Sequence, residues 1–69
     1  MKCFIVLKSK GQIMIENIKI IKSGTVADGL NTETSKFDSF IVADGYHYAF
    51  IGNKTVSISG GEILYVEFE

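Results

Sequence analysis

Three turn-forming dipeptides recur at eight-residue intervals in the second half of this 69-residue chain: Asp44-Gly45, Gly52-Asn53 and Gly60-Gly61. Such dipeptides close two-residue hairpins, because a primed turn needs positive φ at one or both central positions, which glycine and asparagine adopt at little cost. The runs between them are of strand length and rich in β-branched and aromatic residues. The spacing predicts a four-stranded antiparallel meander across the C-terminal half. It also fixes a register in which Ala43 faces Tyr46, Ile51 faces Lys54 and Ser59 faces Glu62.

Counting outward from these turns assigns every side chain to a face. One face collects Phe40, Val42, His47, Ala49, Ile51, Val56, Ile58, Ile63 and Tyr65, which reads as the core. The other sets an aromatic column, Tyr46, Tyr48 and Phe50, beside a hydroxyl column, Thr55, Ser57 and Ser59, and an aliphatic column, Leu64, Val66 and Phe68. A half-solvated sheet carries polar residues on its outer face. So much apolar area is unusual on the surface of a small monomer. Tyr46, Tyr48, Phe50, Leu64, Val66 and Phe68 are therefore the candidate partner-binding residues, to be covered by the N-terminal hairpin, by a second subunit or by a protein partner.

The N-terminal half completes a single domain spanning residues 1–69. Residues 2 to 8 are nearly all apolar, the pattern of a strand covered on both sides. Ser9-Lys10-Gly11 predicts a three-residue hairpin with Gly11 in the left-handed position. Gln12 to Lys22 resumes as strand, with a bulge near Glu16-Asn17, because Ile13 and Ile15 lie on one parity and Ile18 and Ile20 on the other. Between Ser23 and Lys36 the apolar pattern lapses into one long connection. Its candidate functional residues are Asp28, Asn31, Thr32, Glu33 and Lys36. The fold class expected is all-β: an N-terminal hairpin packed on a C-terminal meander as a small antiparallel barrel or sandwich, resembling SH3-like barrels in size.

Composition narrows the chemistry. The formal net charge is −1 and all seven basic residues are lysine, so no guanidinium is present for bidentate recognition of phosphate or guanine, and nucleic-acid binding is disfavoured. The single cysteine, Cys3, sits in an apolar run and reads as a buried, inert thiol. The lone histidine, His47, has no carboxylate or nucleophile at a supporting spacing, and Asp28 and Asp44 precede glycines as turn residues. No phosphate-cradling glycine loop and no metal-ligand cluster is present. The chain reads as a non-enzyme without cofactor or metal. With no membrane span or signal peptide in view, it also reads as cytoplasmic.

Three short segments resemble known RNA-binding families. Val56 to Val66, two apolar strands meeting at a glycine turn, resembles the second signature of Sm-like proteins; the residue before that turn, usually basic and in contact with RNA there, is Ser59 here. Gly11-Gln12-Ile13-Met14-Ile15 with Ile18-Lys19-Ile20 is similar to the start of carbon storage regulators, and Phe37 to Phe68 has the strand rhythm of the tryptophan-responsive attenuation ring. These resemblances imply a homo-oligomeric ring that binds RNA or a small ligand through residues 24 to 36 and the lysines. The residues themselves point first to a non-catalytic module, of the kind found among small regulatory or inhibitor proteins of bacteria and phages. Such a module binds a protein partner or copies of itself through one sheet face.

Overall fold

The computed structural model describes all 69 residues. Cys3–Leu7 (β1) and Gln12–Ile15 (β2) form an antiparallel hairpin, with Cys3 opposite Ile15 and Ile5 opposite Ile13. The loop is Lys8-Ser9-Lys10. Lys10 N–H donates to the Leu7 carbonyl at 3.0 Å and Leu7 N–H donates to the Gly11 carbonyl at 2.9 Å. The left-handed residue is Lys10, at φ 75°, rather than Gly11. A type I turn followed by one left-handed residue accounts for a three-residue hairpin, and here that residue falls one position before the glycine.

The chain does not continue from Gln12 to Lys22 as one bulged strand. It breaks at Glu16-Asn17, where Asn17 takes φ 55°, and resumes as Ile20–Gly24 (β3) in a second sheet. The parity switch among the isoleucines thus marks a change of sheet, and Ile15, Ile18 and Ile21 all end up buried. β3 then turns back to Thr32–Thr34 (β4), so the long connection is mostly a hairpin. In its tip Gly29 N–H donates to the Thr25 carbonyl at 2.8 Å and Gly29 takes φ 75°. β4 escaped the apolar pattern because an edge strand needs only backbone pairing and β-branched threonines, with no buried face of its own.

His47–Ile51 (β5) pairs with β3, and Thr55–Ser59 (β6) pairs with β5. Ile63–Phe68 (β7) leaves that sheet and pairs with β1. The molecule is all-β, with two antiparallel sheets ordered β2-β1-β7 and β4-β3-β5-β6 and no ladder joining them. Of the four-stranded C-terminal meander, only the β5–β6 hairpin forms.

The turns explain the difference. Among the six residues of the three dipeptides only Gly45 has positive φ, at 84°. A primed turn needs it at the first position, so none of the three is primed. Asp44-Gly45 reverses the chain without opening a ladder, Tyr46 N–H reaching the Ala43 carbonyl at 3.4 Å. Gly52, Asn53 and Lys54 make a three-residue turn, which places Ile51 opposite Thr55. Gly60–Glu62 is a single 3-10 turn that carries the chain from one sheet to the other. A slip of one residue exchanges the faces of a strand, and Phe50 therefore faces Val56 while Tyr48 faces Ile58.

Asn53 is occupied elsewhere. Its Oδ1 accepts from Glu16 N–H at 2.9 Å and its own N–H donates to the Glu16 carbonyl at 2.9 Å, tying the β5–β6 turn to the corner between the sheets.

The interior contains Cys3, Ile5, Ile15, Ile18, Ile21, Tyr48, Phe50 and Ile63. The segment expected as the first meander strand is a 3-10 turn, Phe37–Ser39, followed by chain without regular structure to Ala43. It acts as a strap. Phe40 meets Tyr48, Phe50 and Phe68 edge-on at centroid distances of 5.6, 6.0 and 6.1 Å, and Phe37 stacks on Phe68 at 4.8 Å. The Tyr48 hydroxyl accepts from Ala43 N–H at 2.8 Å and lies 3.4 Å from the Ile41 carbonyl, to which it donates. Each aromatic pair adds about 0.5–1.5 kcal/mol beyond the area it buries.

Candidate protein-binding surface

The strap answers what covers the aromatic column. Tyr48 and Phe50 are core residues, and Val66 and Phe68 are half-buried against that core. Only Tyr46 and Leu64 of the six expected partner-binding residues are exposed, at 44% and 60%. Tyr46 lies just before β5 and Leu64 in β7 of the other sheet, so they do not make one face. The expected surface is absent because the slip at residues 52–54 turned Tyr48 and Phe50 inward with Val56 and Ile58. His47, expected in the core, is exposed for the same reason.

The residues of the expected loop are likewise dispersed. Asp28 closes the β3–β4 tip, its N–H donating to Thr25 Oγ1 at 3.2 Å and its carboxylate accepting from that hydroxyl at 3.1 Å. Asn31 Oδ1 accepts from the Thr32 hydroxyl at 3.3 Å. Glu33 lies 3.9 Å from the Lys22 ammonium, an exposed pair of little energetic weight. Lys36 stands apart from these, on the rim of an open groove of about 670 Å³ with Lys19 and Asp38, over a floor that includes Ile18, Phe37 and Phe68.

A different apolar surface takes the place of the expected one, on the outer face of the three-stranded sheet. Strand alternation turns Cys3 and Ile5 inward and leaves Phe4 and Val6 outward. The register sets Phe4 beside Met14 and Glu67, and Val6 beside Gln12 and Tyr65. A bulge between Val6 and Leu7 skips Leu64, so Tyr65 follows it on the outer face. Met14 and Tyr65 are 37% and 52% exposed. At one end of this strip the exposed carboxylates of Glu16 and Glu69 line a shallow concavity with Lys2, and Glu67 stands beside Phe4. The sequence does signal this face, through Gln12 and Met14 alternating with Ile13 and Ile15. An N-terminal strand taken as buried on both sides hides it.

No group of three or more His, Cys, Asp or Glu side chains converges as a metal site, and no helix is long and apolar enough to cross a membrane. Burial pushes the Cys3 thiol up from 9.0 to about 11. The folded state therefore holds this proton more tightly than the unfolded chain. The stability it contributes is complete below pH 9 and is lost as pH rises toward 11. Urea midpoints measured across that range are expected to fall by an amount equivalent to at most about 1.4 kcal/mol per pH unit. Cys3→Ala should be less stable at pH 7, and its midpoint should fall less steeply between pH 9 and 11.

Comparison with protein-family models, with curated proteins and with solved structures finds no match for this chain.

Proposed function

We infer that this chain is a non-catalytic binding module on a small β-sandwich scaffold, acting in the cytoplasm as a regulatory or inhibitor protein. It engages a protein partner through the outer face of β2-β1-β7. The carrying observation is the strip formed by Phe4, Val6, Met14 and Tyr65, an apolar centre on a sheet face that no other element of the chain covers. Aromatic and methionine side chains are favoured at interface centres, where their area is large and their geometry adaptable. The carboxylates of Glu16, Glu67 and Glu69 at one end outnumber the Lys2 ammonium beside them and call for a partner with an apolar strip ending in lysine or arginine.

The test is affinity capture from extracts of the source cells, with the wild-type chain, Met14→Lys, Tyr65→Lys and, as a control on the other sheet, Lys54→Glu. A partner held by wild type and control should fall by about tenfold or more with either lysine variant, equivalent to about 1.4 kcal/mol. It should also elute at raised salt. Both lysine substitutions are on an exposed face and should change stability by no more than about 0.5 kcal/mol. Equal capture by all four proteins would sink the proposal.

A second reading rests on the groove bordered by Lys19 and Lys36. Its apolar floor and two ammonium groups, set against the single carboxylate of Asp38, suit a small amphiphilic anion, the ligand-binding form of the ring alternative.

A further inference from the structure

The sheet edges are protected unequally. β4 is three residues long and carries Glu33 at its centre. β7 is interrupted by the bulge at Leu64 and carries Glu67. β2 offers four residues between left-handed Lys10 and Asn17. β6 alone presents five residues, Thr55-Val56-Ser57-Ile58-Ser59, with no charge, proline or bulge. Natural sheets ordinarily blunt an edge with one of these devices.

The direction of its free hydrogen-bonding groups follows from the ladder. Gly52 N–H donates to the Lys54 carbonyl at 3.0 Å and Gly60 N–H to the Tyr46 carbonyl at 2.8 Å. Ile51–Thr55 and His47–Ser59 are therefore non-hydrogen-bonded pairs, and Val56 and Ile58 spend their backbone groups on Phe50 and Tyr48. The N–H and C=O of Thr55, Ser57 and Ser59 point away from the sheet.

We propose that β6 pairs antiparallel with β6 of a second copy about a two-fold axis through Ser57, joining two four-stranded sheets into one continuous sheet. The occupant is chosen by self-complementarity. Pairing about Ser57 sets Thr55 against the partner's Ser59, Val56 against the partner's Ile58 and Ser57 against the partner's Ser57. Hydroxyl then meets hydroxyl on the outer face, and β-branched meets β-branched on the inner one. Each of the pairs Thr55–Ser59 and Ser57–Ser57 exchanges two backbone hydrogen bonds. No like charges are opposed, because Lys54 falls opposite the partner's Gly60. This edge lies on the other sheet from the partner-binding strip, so the inference stands independently of the proposed function.

Light scattering on the wild-type chain should give twice the 7.6 kDa chain mass at high micromolar concentration. Ser57→Lys and Ser57→Pro should give the single-chain mass with unchanged far-UV circular dichroism, since position 57 donates no bond within its own sheet. Two further variants read the register without altering the edge. Ser57→Cys should cross-link under mild oxidation, because facing Cα atoms of a hydrogen-bonded pair lie about 5.5 Å apart. Thr55→Cys should not, its copies being about 13 Å apart along the strands at about 3.3 Å per residue. A wild type that stays monomeric up to millimolar concentration overturns the proposal. So does a dimer that survives both Ser57→Lys and Ser57→Pro, or equal cross-linking of the two cysteine variants.

Discussion

Phe50→Ala is expected to lose about a third or more of the folding free energy of this chain. Phe50 is fully buried, packs edge-on against Phe40 and lies 6.2 Å from the Tyr48 ring. Truncating such a side chain costs about 3–5 kcal/mol, through lost transfer energy and the cavity left behind. A chain of this length has only about 3–10 kcal/mol in total, at about 0.05–0.15 kcal/mol per residue. The strap opposes collapse into the cavity, because Phe40 is itself held among three rings and cannot follow the retreating surface without leaving Tyr48 and Phe68. Far-UV circular dichroism with urea titration should show stability lowered by about 3–5 kcal/mol, whereas Tyr46→Ala, at an exposed position, should shift it by no more than about 0.5 kcal/mol. A cooperative Phe50→Ala variant within 1 kcal/mol of wild type, on the order of a surface substitution, would place this ring outside the core.

Gly60→Ala is expected to be the most damaging single methyl that can be added near the strap. A Cβ at Gly60 would stand 2.2 Å from the Ala43 carbonyl oxygen, 2.9 Å from Cε2 of Tyr48 and 3.1 Å from the Tyr46 carbonyl oxygen. Two of those obstacles are backbone, and Gly60 N–H is already bonded to the Tyr46 carbonyl. Overpacking costs about 1–3 kcal/mol, and a contact against fixed backbone belongs at the upper end. Gly45→Ala is the useful comparison. Gly45 has open space around it, so the only penalty is its positive φ, about 1–2 kcal/mol. Urea denaturation should therefore order the variants wild type, Gly45→Ala, Gly60→Ala, and the reverse order for the last two would contradict the close approach of Gly60 to the strap.

The all-β class, the N-terminal hairpin and strands over His47–Ile51 and Thr55–Ser59 were legible in local pattern, since they depend on β-branched runs and nearby turns. The register of β6 was not. Gly52-Asn53 has the composition of a primed turn, yet Asn53 is claimed by Glu16, thirty-seven positions earlier, and the reversal takes in Lys54 as well. A two-residue turn and a three-residue turn differ by one position, and that position decides whether Tyr48 and Phe50 face water or the interior. Gly60-Gly61 misled for a similar reason. Gly60 serves close approach to the strap rather than left-handed geometry, and local composition does not distinguish the two uses.

The candidate surface followed the register. A register that sets Tyr46, Tyr48 and Phe50 outward puts the apolar face on the sheet of β5 and β6, whereas Tyr48 and Phe50 are buried and the exposed apolar strip lies on the sheet of β1, β2 and β7. The strip of Phe4, Val6, Met14 and Tyr65 depends on β7 crossing to pair with β1, a contact between the two ends of the chain that no short-range pattern encodes.

The strap has a kinetic consequence. Residues 37–43 are anchored by ring contacts and by the Tyr48 hydroxyl, but the segment belongs to no ladder. Amide exchange and side-chain burial are therefore uncoupled along it. Phe40 packs against the core while the amides around it are expected to exchange at rates close to those of an open loop, except those of Phe40, bonded to the Phe37 carbonyl, and Ala43, bonded to Tyr48. Local opening of this stretch needs no strand to separate, so solvent is expected to reach Phe50 and Tyr48 first from the side of the strap while both sheets remain intact.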